Sequence, residues 1–383
     1  MAATALTTEV FGHDDVRLGL AAAVERDDLP GSILIHGMPG VGRQSLARWL
    51  ARLLVCQRPE PGGPCGRCRG CRLALDLQHP DIHWFFPLPR PKGTAGPEKL
   101  AAALEEARFA ALAERRGDPL YLADTDEPAG LYIAQVRTIR QLGVTRPAMA
   151  SRQVFIIGDA ELLVSQEASE EAANALLKIL EEPPPATVFI LTARDPEALV
   201  PTIRSRLLPV RLTSFSVDEI ATFLHERADV PRPDAAVLAR LGRGSIRAAL
   251  SFVSRDGEPT HAQTIRSSAL EWIRSTLDPG PERRLAIALA QKPFGARGSF
   301  ADTLDAMAIW LRDLAAVAAG AHDQVVALDA LDTLEAMAGQ LRPDRLPVAL
   351  ALVDTARDAG RINANPQLTL GWLLAGISTA LRS

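Results

Sequence analysis

The glycine-rich segment Gly37–Gln44 has the spacing of a phosphate-binding loop. Its sequence is GMPGVGRQ, and its frame glycines are Gly37, Gly40 and Gly42. A working loop reads G-x-x-x-x-G-K-[ST], in which lysine reaches the terminal phosphates and the hydroxyl holds Mg²⁺. Here those two positions are Arg43 and Gln44. Arginine carries its charge on a planar fork that fits poorly in a tight loop, and glutamine lacks the hydroxyl ligand. The segment therefore predicts a retained loop scaffold with weakened nucleotide chemistry.

The residues on either side of this loop have the pattern that a phosphate site requires. Ser32–His36 is a short apolar run, and leucines recur at helical spacing after the loop. A strand, a glycine turn and an amphipathic helix direct the loop amides and the helix N-terminus toward an anion. The alternative is a glycine turn that joins strand to helix without any nucleotide.

The four cysteines of the chain form one cluster with the spacing C-x8-C-x2-C-x2-C. They are Cys56, Cys65, Cys68 and Cys71. In a reducing cytosol, clustered cysteines bind metal more often than they form disulfides. Four thiolates can surround Zn²⁺ tetrahedrally and leave no open position, so the pattern predicts a structural zinc ion. We interpret the nearby His79 and His83 as ordinary histidines that do not bind the metal. The alternative to a zinc site is four cysteines that bind no metal.

A second departure from nucleotide chemistry lies after the apolar run Val154–Ile157, which is suited to a central parallel strand. In a nucleoside triphosphatase this strand ends with two acids, one for Mg²⁺ and one that activates water. Here Gly158 takes the first position and Asp159 the second. If Asp159 is instead the metal ligand, Ala160 replaces the base. Either alignment leaves the pair of acids incomplete. We interpret this as a second loss of nucleotide chemistry, independent of the changes in the loop.

Two further segments complete the predicted nucleotide domain. Glu170–Glu182 is predicted to be a helix that three prolines stop, and Thr187–Thr192 is predicted to be the next buried strand. Thr192 ends this strand, where its hydroxyl could sense a γ-phosphate, although an ordinary strand-end threonine is the alternative. Alternating buried strands and helices predict an α/β domain with a parallel sheet.

The composition limits the classes of function. With 383 residues, 47% hydrophobic and 23% charged, the chain is long enough for two or three cores. A net charge of -4 argues against a protein that grips nucleic acid alone, so any contact with DNA is expected to need partners. The sequence has no apolar run of about 18 to 20 residues and no secretory signal, so we expect a cytoplasmic protein without membrane contact.

Several of these motifs together resemble the clamp loaders of bacterial DNA polymerase III, which are AAA+ proteins. The motifs are GMPGVGRQ, the cysteine spacing, ANALLKILEEPPP, LTARDP and Arg204-Ser205-Arg206. The resemblance runs from about Phe11 to the C-terminus. In that family the γ/τ ATPase subunits keep an intact GK[ST] loop, and the δ subunit has neither the loop nor the cysteines. The chain is therefore most similar to the delta-prime branch.

The resemblance also implies roles for three residues. Ser205 and Arg206 stand where the family has a Ser-Arg-Cys motif, whose arginine reaches the ATP phosphates of a neighbouring subunit; Leu207 replaces the cysteine. Arg206 is thus implied to be a trans-acting arginine finger. Arg247 lies in a segment that resembles the second sensor of the lid, and the damaged loop leaves it either a degenerate nucleotide contact or a structural residue.

By the same resemblance, the chain should have three domains. Residues 1–212 are expected to form the AAA+ phosphate-loop domain with a zinc insertion at residues 56–71. Residues 213–257 are expected to form a small helical lid, and residues 258–383 a helical collar that mediates oligomerisation.

The leading hypothesis is a clamp-loader subunit that hydrolyses little or no ATP, holds structural zinc, and donates Arg206 to a γ/τ neighbour. Its expected partners are γ/τ and δ, with the sliding clamp and primed DNA reached through the complex. ATP binding by the chain itself is doubtful. One alternative is a loader ATPase in which Arg43 and Asp159 support weak binding or slow hydrolysis. Another, a zinc-dependent DNA-binding module outside replication, is disfavoured by the negative charge.

Overall fold

The computed structural model describes residues 10–94, 96–117, 129–164, 176–254, 257–296, 298–362 and 364–382. The described residues divide into two compact units. The first contains those up to residue 219 together with residues 245–247, and the second contains residues 220–244 and those from 248 onward.

A five-stranded parallel sheet forms the centre of the first unit. In spatial order β2-β5-β6-β1-β7, its strands are β1 Ser32–His36, β2 Ile82–Phe85, β5 Gln153–Ile157, β6 Thr187–Ala193 and β7 Leu208–Arg211. A separate antiparallel pair joins β3 Leu88–Pro89 to β4 Ala129–Gly130. Every residue of β5 and β6 is buried, as expected for parallel strands covered on both faces. Because β1 pairs with β6 and β6 with β5, the carboxyl ends of these three strands lie side by side.

Helices pack around this sheet in the first unit. They are α1 Asp14–Glu25, α2 Arg43–Leu54, α3 Arg69–Leu75, α4 Pro97–Gly117, α5 Ile133–Gly143 and α6 Pro201–Arg204. Residues 176–181 are also helical, and short 3₁₀ turns occupy Ala160–Val164 and Pro196–Ala198. The amphipathic α2 begins directly after the glycine loop and buries Leu46, Trp49, Leu50, Leu53 and Leu54. This leucine face holds the loop against the sheet.

The described residues of the second unit form helices that turns and loops connect. Its helices are α7 Val217–Arg227 and α9 Ile246–Leu250, both of which begin in the first unit, together with α8 Arg232–Gly242, α10 His261–Leu277, α11 Glu282–Leu289, α12 Ser299–Ala318, α13 Leu331–Ala338, α14 Leu346–Arg361 and α15 Pro366–Arg382. Short 3₁₀ turns occupy His322–Gln324, Leu328–Ala330 and Pro343–Arg345. Leu304, Met307, Leu311 and Leu314 of α12 are buried in the core that these helices share. None of the described helices combines the length and apolar composition that a bilayer crossing requires.

These elements confirm the predicted fold class, an α/β phosphate-loop domain with a cysteine module and a helical C-terminal part. The predicted strands correspond to β1, β5 and β6. Of the predicted helix Glu170–Glu182, residues 176–181 are helical, whereas residues 170–175 lie outside the described part of the chain. The lid and collar boundaries stay predictions.

One buried carboxylate fixes the chain that leads into β5. Asp81 lies just before β2, and its oxygens accept the N–H groups of Ala148, Met149 and Ala150 at 2.5 to 2.8 Å. Burial alone would raise the pKa of Asp81, but these three donors lower it below its ordinary value. The Asp81 carboxylate is therefore fully engaged by backbone donors within the fold.

Candidate functional site

The glycine loop follows β1 and ends where α2 begins, which is the order of elements that a phosphate loop requires. Gly37 has a φ of 151°, and a Cβ there would lie 2.5 Å from the carbonyl oxygen of Leu212. Gly40 has a φ of 79°, and a Cβ there would overlap the Ser245 hydroxyl oxygen at 2.0 Å. Only glycine fits these two positions. The frame predicted from Gly37, Gly40 and Gly42 is therefore a structural requirement of this turn.

The two altered loop residues share one acidic partner. Arg43 donates from Nη2 to Asp159 Oδ1 at 3.1 Å, and Gln44 donates from Nε2 to Asp159 Oδ2 at 3.1 Å. Asp159 has a φ of 46°, a left-handed conformation that aspartate tolerates better than most residues. Thr192, at the carboxyl end of β6, accepts the backbone N–H of Asp159 at 3.0 Å. The structure thus brings four of the predicted site residues into one hydrogen-bonded network.

The environment of Arg43 makes this pairing important. The Arg43 side chain is 7% exposed and that of Asp159 is 20% exposed. Burial lowers the pKa of Arg43, and the negative charge of Asp159 opposes that shift. The Arg43 guanidinium stays charged, because arginine does not deprotonate in proteins. A buried charge of this kind is costly without a counter-charge, and Asp159 supplies it.

Gln44 also occupies the space beside Gly158. A Cβ at position 158 would lie 3.0 Å from Gln44 Nε2 and 3.4 Å from the Cβ of Phe86. An acidic side chain at position 158 would therefore displace the Gln44 amide. The two departures that the sequence analysis interprets as independent, in the loop and after β5, are therefore neighbours in the structure.

The other predicted nucleotide contact, Arg247, lies next to the loop. It is the second residue of α9, and a Cβ at Gly40 would lie 2.8 Å from the Arg247 Cβ. The backbone of residues 245–247 therefore packs directly against the glycine turn. This position is compatible with a degenerate nucleotide contact and with a structural role.

The four cysteine sulfurs form a compact cluster. All four lie within 4.8 Å of one another, with 4.0 Å between Cys56 and Cys68 and 3.9 Å between Cys65 and Cys71. A tetrahedral zinc site with Zn–S bonds of about 2.3 Å has sulfur–sulfur edges of about 3.8 Å. The donor set and the spacing therefore fit a tetrahedral ion.

Backbone N–H groups donate to two of these sulfurs, Cys56 and Cys68, although burial still raises the pKa of Cys56. Cys65 N–H donates to Cys56 Sγ at 3.4 Å, and Cys71 N–H donates to Cys68 Sγ at 3.3 Å. Burial raises the pKa of Cys68, but backbone donors from Cys71 and Gln57 outweigh it and lower the pKa to about 6. Burial raises the pKa of Cys71. A thiol of that kind needs a strong counter-charge such as a metal ion to ionise.

Arg206 lies just after α6 and is held by three acceptors. Its Nη2 is 2.5 Å from Glu181 Oε1, and its Nη1 donates to the Thr202 carbonyl at 2.5 Å and to Ser205 Oγ at 3.3 Å. The Arg206 side chain remains 34% exposed. The guanidinium is thus oriented by its own chain and still accessible.

A family model described as DNA polymerase III, delta subunit matches residues 12–216, which is more than half of the 383 residues. The chain belongs to this family. Membership confirms the predicted relation to the clamp loaders, and the first unit has the AAA+ type of phosphate-loop domain.

Individual relatives come from two subunit types. DNA polymerase III subunit delta' of Escherichia coli (strain K12) is 28% identical over 327 residues, covering 85% of this chain and 82% of that protein. Subunit tau of the same strain is 27% identical over 74% of this chain, which spans only 38% of tau. A solved gamma subunit-related protein from Thermotoga maritima aligns with 94% of this chain and 99% of its own, at 15% identity and a TM-score of 0.37.

Sequence reasoning missed two acids that lie next to the candidate site residues. Glu181, in the LLKILEEPP segment, is the carboxylate partner of Arg206. Glu161, two residues after Asp159, is largely buried and accepts the backbone N–H of Arg194 at 3.0 Å. Burial raises the pKa of Glu161. The repeated Glu-Glu before the prolines was a visible signal for Glu181, whereas nothing in the sequence distinguishes Glu161 from a surface acid.

The Arg43–Asp159 pair predicts a strong response to removal of one partner. Asp159→Ala should lower the free energy of unfolding by about 3 kcal/mol, because it leaves a buried guanidinium without its counter-charge. The double variant Arg43→Met with Asp159→Ala should recover most of this loss. Urea denaturation of the full chain measures both, and the pair's coupling follows from the double-mutant cycle.

The exposed ion pair between Arg67 and Glu60 gives the matched control. Their side chains are 83% and 51% exposed, so Glu60→Ala should cost less than about 1 kcal/mol. Equal small losses for Asp159→Ala and Glu60→Ala would contradict the assigned role of the buried pair.

Proposed function

We propose that this chain is a delta-prime type subunit of the DNA polymerase III clamp loader, with little or no ATPase activity of its own. The observation that carries the proposal is the pairing of Arg43 with Asp159. The cation at the lysine position of the loop is bound to the chain's own carboxylate, and Gln44 fills the space beside Gly158. These contacts pair the loop cation with Asp159, and Gly158 stands where a nucleoside triphosphatase has the first of its two acids.

In this proposal, Arg206 serves the ATP site of a neighbouring γ/τ subunit. A guanidinium beside the transferring phosphate stabilises the negative charge that develops on its oxygens. Arg206 is accessible and already oriented through Thr202 and Ser205, so little side-chain entropy is lost when it engages a neighbour. Glu181 holds Nη2 in the isolated chain, and a phosphate oxygen would replace that carboxylate in the assembled site.

The remaining partners follow from this assignment. The chain would pack with γ/τ and δ, and it would reach the sliding clamp and primed DNA through the complex. The net charge of -4 supports an indirect relation to DNA, since a chain with this balance has no excess of positive charge to bind phosphates alone.

The cysteine module would hold one structural zinc ion through Cys56, Cys65, Cys68 and Cys71. Four thiolates fill a tetrahedral shell, so the ion would stabilise the segment between α2 and β2 rather than take part in a reaction. Gly70 supports the compact turn, because a Cβ there would lie 2.6 Å from the Val55 carbonyl oxygen.

Metal analysis tests this assignment. The purified full chain should contain about one zinc per molecule, and Cys65→Ser should lose it and lower the thermal midpoint. His83→Gln is a control that should keep the zinc, because His83 lies next to Gln153 instead of the cysteines. Protein without zinc whose midpoint is unchanged by a chelator would refute the metal assignment.

ATP hydrolysis by the assembled loader tests the arginine finger. Arg206→Ala should slow single-turnover hydrolysis at one γ/τ site by about 10³-fold or more, while the other sites continue. Arg204→Ala is the matched control, because Arg204 is similarly exposed (36%) and bound to Glu197. A complex that assembles normally and shows the same turnover with Arg206→Ala as with Arg204→Ala would eliminate the trans role.

A further inference from the structure

A small cavity lies where α2, the end of α3, α4 and the sheet meet in the first unit. Its volume, measured as the space open to the centre of a water molecule, is about 30 Å³. The polar side chains that line it are Arg48, His79 and Trp84. One water molecule needs about 10 to 15 Å³ on this measure. The cavity can therefore hold something larger than one water molecule.

Each of these three side chains has a buried nitrogen without a hydrogen-bond acceptor among the described residues. The atoms are Arg48 Nε, His79 Nε2 and Trp84 Nε1. Arginine and tryptophan nitrogens can only donate. The Nδ1 atom of His79 accepts the backbone N–H of Asp81 at 3.1 Å, so the proton of the neutral ring is on Nε2. All three buried groups are therefore donors.

The surroundings of the cavity are positive. Arg115 lies over the ring of Trp84 at 5.5 Å, on which Arg48 also stacks at 5.4 Å. Burial, followed by the charges of Arg52 and Arg115, lowers the pKa of Arg48 to about 10. Asp81 lies between His79 and Trp84 in the sequence, and its carboxylate accepts the N–H groups of residues 148–150. The lining has donors and cations, and its neighbouring carboxylate is engaged elsewhere.

Water satisfies such a site poorly. A water molecule can accept from two donors, but its own two hydrogens then need acceptors, which the three buried nitrogens do not provide. An anion accepts from donors without needing acceptors of its own, and it offsets the mutual repulsion of the guanidinium groups.

We propose that this cavity binds one small monoanion of the halide type through Arg48, His79 and Trp84. The ion would join α2, the base of the cysteine module and the sheet through three hydrogen bonds. Its role would be structural, and it is independent of the proposed clamp-loader function.

The thermal midpoint of the full chain tests the proposal with chloride as the probe. At constant ionic strength, sodium chloride replaces sodium gluconate, whose anion is too large for the cavity. The midpoint should rise by about 3 to 6 °C for each tenfold increase in chloride above the dissociation constant. Trp84→Phe keeps the ring but removes one donor, and it should abolish most of this rise.

Trp49→Phe is the matched control, because Trp49 is another buried tryptophan of the first unit that does not line the cavity. It should keep the full chloride response. Arg48→Met, which removes the Nε donor and the charge, should behave like Trp84→Phe and provides a second variant if that one does not fold.

A crystal soaked in sodium bromide gives a direct readout. An anomalous peak beside the three nitrogens is expected in the unsubstituted chain. Equal midpoints in chloride and gluconate, equal responses of Trp84→Phe and Trp49→Phe, or water molecules in the cavity without a bromide peak would each overturn the proposal.

Discussion

The pairing of a buried guanidinium with one carboxylate is the constraint on which the nucleotide-type site depends. Arg43 begins α2 and is almost completely buried, so its charge needs a partner inside the fold. Asp159 supplies that partner from the end of β5, and Thr192 holds the backbone of Asp159 from the end of β6. The parallel sheet makes this possible because it places these strand ends next to one another. With Arg43, Asp159 and Thr192 joined in this way, the loop keeps its glycine turn while Arg43 is paired with a carboxylate of its own chain.

The scaffold of the loop is held by contacts within the chain itself. The glycine turn is fixed by close contacts with the carbonyl of Leu212 and the hydroxyl of Ser245, and neither contact involves a nucleotide. Arg206 is held differently, since it is partly exposed and oriented by polar groups of its own chain. Arg43 is paired inside the fold, whereas Arg206 is partly exposed to solvent. The proposed function rests on that contrast.

The sequence was sufficient to predict the sheet strands, the glycine turn and the cysteine module, because each depends on local pattern. Buried strands appear as apolar runs, and the cysteine spacing limits the geometry of the cluster. The contact between Gln44 and Gly158 could not be predicted, because the two residues are more than one hundred positions apart and meet only through the order of the sheet. The partner of Arg206 and the three donors of the cavity were missed for the same reason. Tertiary contacts, rather than local propensity, decide where these polar groups find or lack a partner.

The binding of a fluorescent ATP analogue to the isolated chain, with and without Mg²⁺, measures directly whether the loop still holds nucleotide. Because Arg43 is bound to Asp159 and Gln44 lies beside Gly158, the account predicts no saturable Mg²⁺-dependent binding up to millimolar nucleotide. Saturable binding at micromolar concentrations that requires Mg²⁺ and is lost on substitution of Gly42 would contradict it.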